Sequence, residues 1–237
     1  LWLSYFATIF TIIVITNSYN LIDGIDGLAG SVGLITLLFF GCWFLLNDKI
    51  HFSFIALAFS GALLAFLNFN WSPSKIFMGD SGTSIVGLLI ALYTVYFIQV
   101  NAGLPDAATF KFKANIGTPI GLLIIPLVDT IRVFVKRTLD GKSFMAADNS
   151  HIHHVLLSMG NNHKQATIIL LAIKIFFLAM VFSLRRYSDL VVLPVVIGTA
   201  LTLTIILNVT YRKRKEKLSL GNKATEDNQV FINKTGS

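Results

Sequence analysis

Apolar runs long enough to cross a bilayer recur along the whole 237-residue chain, and no other feature restricts its folding so strongly. A helix of about 17–25 apolar residues spans a hydrocarbon core of about 30 Å. Seven such runs stand at about 1–16, 28–46, 52–69, 83–100, 116–135, 166–184 and 189–210. Runs of this length predict an all-α polytopic membrane protein, with about seven transmembrane helices in residues 1–210. Hydrophobic residues make up 54% of the chain and charged residues 13%, which argues against a soluble domain.

The net charge of +7 invites a nucleic-acid reading, but more than a third of the 19 basic residues follow Tyr211. That placement suits a cytosolic tail beside an anionic leaflet, and no nucleic-acid partner is expected. The tail, 211–237, is rich in Lys, Asn and Thr and is predicted to be disordered. Cys42 is the single cysteine, so no disulfide or cysteine metal site can form within the chain. The sequence opens on Leu1, mid-pattern and without a basic n-region, so an N-terminal part is expected to be missing.

Basic residues near span ends set the orientation. With Arg212, Lys213, Arg214, Lys215 and Lys217 in the cytosol, alternation places the loops 136–165, 70–82 and 17–27 there too. The opposite face receives 47–51, 101–115 and 185–188. The three polar clusters of the chain then share one side: Asn17–Asp26, Phe77–Gly82 and Asp148–His154.

Each cluster has a chemistry. Asn17, Asn20, Asp23 and Asp26 recur every three residues, so on a continued helix their oxygens descend one side. Hard cations such as Mg²⁺ take one or two carboxylates plus substrate phosphates. Helix capping by Asn and Asp is the plainer alternative, but the regular spacing between two spans favours a site. Asp80, just before a span, is either an N-cap or a metal ligand; the free N–H groups of that helix start would face phosphate oxygens. Phe77 either stacks on a base or anchors the interface. His151, His153 and His154 lack the Cys, Glu or i, i+4 spacing of a zinc site, and instead suit donation to phosphate. Asp129 and Arg132 read as an i, i+3 ion pair, and Lys174 as pointing into the bundle or snorkelling; neither reading carries a catalytic role.

Read together, Asn17-x-x-Asn20-x-x-Asp23-Gly24-x-Asp26-Gly27-Leu28-Ala29, Phe77-Met78-Gly79-Asp80-x-Gly82 and His151-Ile152-His153-His154 resemble the three signatures of the polyprenyl-phosphate N-acetylhexosamine-1-phosphate transferases. These belong to glycosyltransferase family 4 and are related to the phospho-MurNAc-pentapeptide translocases. The resemblance implies transfer of an N-acetylhexosamine-1-phosphate, GlcNAc-1-phosphate in the first place, from a UDP-sugar to undecaprenyl phosphate, with release of UMP. It implies a multi-pass protein of the bacterial inner membrane, its active face cytosolic, that starts a lipid-linked cell-envelope glycan. Mg²⁺ is the implied cofactor, with Mn²⁺ as the alternative. By matched position, Asn20 and Asp80 hold the metal, and Asp23, Asp26 and Asp80 are needed for activity. Phe77 stacks on uracil, and Asn17, His151, His153 and His154 contact the nucleotide sugar.

One departure accompanies the resemblance. The family carries paired aspartates upstream of the first motif, and this chain contains no Asp-Asp dipeptide. The isolated fragment is therefore expected to be inactive. Two other classes compete with the transferase: a cation-coupled transporter, and an inactive partner subunit of the same fold. A homodimer also stays open.

Overall fold

The computed structural model describes residues 2–139, 141 and 151–235. Nine helices carry the fold among them: α1 (Trp2–Leu21), α2 (Leu28–Leu46), α3 (Ile50–Asn70), α4 (Gly79–Gly103), α5 (Gly117–Leu122), α6 (Ile124–Leu139), α7 (Ile152–Ser158), α8 (His163–Ser183) and α9 (Asp189–Thr235). No strand occurs among the described residues. Six helices are long and apolar enough to cross a membrane: α1, α2, α3, α4, α8 and the Asp189–Glu216 part of α9. The chain is thus an all-α, multi-pass membrane protein. Helix is the expected answer to lipid, where water cannot satisfy exposed backbone groups.

One of the seven expected spans is not among those six because it is made in two pieces rather than one helix. The fifth apolar run, 116–135, breaks at Leu123 into α5 and α6. Pro126 has no N–H and its ring crowds the preceding turn, so a straight helix cannot pass through it. Together the two pieces run from Asn115, where Asp189 binds the chain, to Asp129, which meets His151 at the opposite end; α6 also carries Arg132, Lys136 and Arg137 among its apolar residues.

Helix α2 is the axis of the bundle, buried over most of its length, whereas α1, α3 and α9 turn wide apolar faces outward. Aromatic rings fill one end of it. Trp43 packs on Phe97 with centroids 4.4 Å apart, and Phe39 meets Phe40, Phe112 and Phe182 edge-on. The same end is closed by Asp189, whose carboxylate accepts the N–H groups of Asn115, Ile116 and Gly117 and so caps α5. The other end is polar, and holds the site.

Helix α9 does not stop at Thr210. Its backbone continues to Thr235, through the segment for which the sequence predicted disorder. Residues 211–217 lie directly on a nucleated helix and are rich in Arg, Lys and Glu, so propagating through them costs little.

Candidate active site at the polar end of the bundle

Helix α1 runs past the end of its apolar stretch to Leu21, so Asn17 and Asn20 are helical while Asp23 and Asp26 sit in the 22–27 turn. The four oxygens therefore do not descend one side of a single helix. Tyr19, fully buried, donates its hydroxyl to Ala29 O at 2.6 Å and pins α1 to the start of α2. The Asn20 side-chain oxygen accepts from the Thr83 hydroxyl, which ties α1 to the first turn of α4. Asp80 lies in that same turn and is exposed.

The N-cap position of α4 belongs to Met78, and no side chain caps it, so Asp80 is not a capping residue. Gly79 opens the helix with φ of 67°, a conformation that glycine alone adopts without strain. Asp23 and Asp80 face one another. Partial burial, then the Asp80 charge, push the Asp23 carboxyl above its usual range against a backbone bond from Gly79. Two carboxylates and the Asn20 amide oxygen thus converge at an uncapped helix N-terminus. This donor set fits a hard cation that takes its remaining ligands from water and phosphate. No group of three or more His, Cys, Asp or Glu that could hold a metal occurs among the described residues.

Asp26 is used differently. Its two oxygens accept from the Ser74 hydroxyl at 2.8 Å and the Ser74 N–H at 3.3 Å. Its backbone carbonyl accepts from Thr167 of α8 at 2.8 Å, and His163 approaches its carboxylate at 3.7 Å. Burial alone would raise the Asp26 carboxyl; Ser74, His163 and Ser72 outweigh that and hold it below its usual value. Asp26 lies beside the site, but its carboxylate is committed to joining the α1–α2 turn, the 71–78 connection and α8.

Short helix α7 brings in the histidines. His151 caps it by position, its ring nitrogen Nδ1 2.7 Å from Asp129 of α6, and the Ile152 N–H donates to the other Asp129 oxygen at 2.6 Å. His153 is buried and stacks on His151, and the His154 ring lies 4.4 Å from it and 6.3 Å from His151. The His153 imidazole presses on Gly24, where any Cβ would overlap it. Asp148 and Asn149 of the third motif, with Lys142, lie outside the described residues. Phe77 stands 78% exposed on the 71–78 connection. Asn17 is also exposed, and among the described residues no hydrogen bond joins it to the other site residues.

Residues 1–98 match the model of glycosyl transferase family 4. Over that stretch the chain is similar to the family. The matched residues take in the Asn17–Asp26 stretch, Phe77 and Asp80. Among its relatives, a Bacillus subtilis protein named "Probable undecaprenyl-phosphate N-acetylglucosaminyl 1-phosphate transferase" is 31% identical over 88% of the chain and 56% of its own length. The decaprenyl-phosphate N-acetylglucosaminephosphotransferase of Mycolicibacterium smegmatis is 32% identical over 87% of the chain and 53% of its own length. The undecaprenyl-phosphate alpha-N-acetylglucosaminyl 1-phosphate transferase of Escherichia coli is 27% identical over 79% and 49%. The chain spans about half the length of the curated relatives it matches.

Asp129 is the site residue that sequence reasoning missed. Its partners lie 22 and 23 positions on, so its i, i+3 relation to Arg132 drew the reading instead. Its one sequence signal is a carboxylate inside an apolar run, which is costly unless partnered.

Two expected outcomes arise here. Gly24→Ala drives a Cβ into the His153 ring and forces α7 off the turn, an overpacking expected to cost about 1–3 kcal/mol; the thermal midpoint in detergent measures it. The second concerns pH. Burial pushes the His153 imidazole down to about 4, partly opposed by Asp129 and reinforced by His154, His151 and His163. An unfolded histidine titrates near about 6.5, so between about 6.5 and about 4 the unfolded chain holds a proton that the folded chain refuses. Stability therefore falls as pH drops through that window. The thermal midpoint in detergent is expected to be lower at pH 5 than at pH 7, and His153→Gln to flatten the slope.

Proposed function

We propose that the protein transfers an N-acetylhexosamine-1-phosphate, GlcNAc-1-phosphate in the first place, from a UDP-sugar to undecaprenyl phosphate. A phosphate oxygen of the lipid forms a bond to the β-phosphorus of the UDP-sugar. The bond from that phosphorus to the bridging oxygen breaks, and UMP leaves with the bridging oxygen. The observation that carries this reading is the convergence of Asp23, Asp80 and Asn20 at the uncapped N-terminus of α4, beside a histidine helix and at one end of a membrane bundle. The names of the relatives point the same way.

The residues divide the work. Asp23, Asp80 and Asn20 would hold Mg²⁺, or Mn²⁺, which neutralises charge on the diphosphate when bound. The open N–H groups of the α4 start favour phosphate oxygens in the same place. A phosphate monoester has its second pKa near about 6, so the lipid phosphate is largely dianionic at pH 7 and needs no strong base. Catalysis then rests on positioning and charge. His151, His153 and His154 donate toward the nucleotide sugar, and exposed Phe77 offers a ring to the uracil. The active end faces the cytosol of the bacterial inner membrane, where UDP-sugars are made and where the basic stretch beyond Tyr211 fits an anionic leaflet.

The test is exchange of labelled UMP into UDP-GlcNAc in membranes carrying the full-length protein. Exchange is expected with Mg²⁺, and loss with EDTA, restored by added Mg²⁺ or Mn²⁺. Exchange that is absent, or indifferent to EDTA, would sink the proposal; solute uptake into vesicles without exchange would point to a transporter.

A further inference from the structure

Lys174 lies midway along α8 and is completely buried. An ionisable side chain at that depth is expensive and marks a function by default. The sugar-phosphate transfer does not use it. Its surroundings explain why it is there. In a continuous helix, the N–H of residue 126 would bond to the carbonyl of residue 122, but Pro126 has no N–H. The Leu122 carbonyl, at the end of α5, would be left without a donor among buried Leu122, Leu123, Ile124 and Ile125.

Lys174 supplies the missing donor. Its ammonium bonds to the Leu122 carbonyl, and also donates to the Thr36 hydroxyl at 2.9 Å. That hydroxyl in turn donates to Val32 O at 2.7 Å. One side chain thus joins the break to the central helix α2 and to α8. Helix α6 starts two residues after Leu122, and Asp129 on it reaches His151 and Ile152. About two turns from Lys174, the same α8 bonds the Asp26 carbonyl through Thr167. The break and the site are therefore fixed to one helix.

We propose that Lys174 is a positioning residue of the active site: it holds the α5–α6 break, and through it the aim of α6 and Asp129 at the histidine helix. The inference rests on the proposed transferase function. It separates two roles, satisfying a carbonyl and keeping a bend, and Pro126 allows them to be tested apart.

The experiment compares Lys174→Met, Pro126→Ala and the double variant in the full-length protein, by UMP exchange and by thermal midpoint. Lys174→Met is expected to lower the midpoint and cut exchange at least tenfold. Adding Pro126→Ala returns a backbone donor to Leu122 O, so the midpoint recovers, but the straightened helix keeps exchange at least tenfold down. Recovery of both would leave Lys174 a structural plug and overturn the proposal. A midpoint that stays down would show that the lysine does not serve that carbonyl, and would overturn the proposal equally. Wild-type exchange in Lys174→Met overturns it directly. Should Lys174→Met not fold, the double variant alone decides: with neither the lysine nor the proline to keep the bend it is expected to be stable and at least tenfold slower, and wild-type exchange overturns. Absence of exchange in the unmutated protein would strike the transferase reading instead, while the midpoints still report the Lys174–Pro126 coupling.

Discussion

Asp80→Asn is expected to lower exchange by about 10²–10³-fold, the range for removing one preorganised charge-stabilising group from an active site. The change keeps the shape of the side chain and removes its charge. Asp80 is exposed in the first turn of α4 and does not cap the helix, so the fold does not depend on it. An acidic residue near a helix N-terminus is worth about 0.3–1 kcal/mol, and part of that is offset by relief of the Asp80 repulsion on Asp23. The thermal midpoint is therefore expected to move little while exchange collapses. Asp23→Asn, on the other partner of the same pair, is expected to do the same. Exchange at the wild-type rate in Asp80→Asn, under saturating Mg²⁺, would remove Asp80 from the site. A midpoint that falls in step with exchange would make it a structural residue.

The same pair shows what the sequence could and could not disclose. Span lengths, the all-α class and the gathering of the polar clusters at one end were legible, because hydrophobic thickness and alternation are one-dimensional constraints. The structure joins Asn20 to Thr83, Asp26 to Ser74 and Gly24 to His153, as one-sided loops require. The division of labour between Asp23 and Asp26 was not legible. Both belong to one motif at one spacing, and what separates them is Ser74, 48 residues away, which occupies one carboxylate and not the other. The break at Leu123 was hidden for a different reason. A hydropathy window averages over 116–135, whereas the outcome hangs on one absent N–H at Pro126 and one donor at Lys174 on another helix. The seventh span was split in two at that proline. Asp129 lies on its second half, α6, where it meets the histidine helix.

Asp129→Ala is the other substitution expected to do heavy damage, and for a reason unlike that of Asp80. Asp129 is buried and meets two groups that cannot turn to water, the His151 ring and the Ile152 N–H. Leaving a buried donor unpaired costs about 1–3 kcal/mol, and here one substitution orphans two partners. Stability should thus fall by about 2–4 kcal/mol, and the start of α7 should detach, carrying His151 and His153 with it. Exchange is expected to drop by about 100-fold, as for any misplacement of about 1 Å at the reacting groups. Asp129→Asn should be milder in stability, because the amide oxygen still accepts from Ile152, but its other half no longer presents a carboxylate to His151. The decisive measurement is a double-mutant cycle. If Asp129 works by placing His151, then His151→Ala in the Asp129→Asn background should cost much less than it does alone. Additive losses would mean that the two residues act separately, and that the carboxylate serves only the backbone of α7.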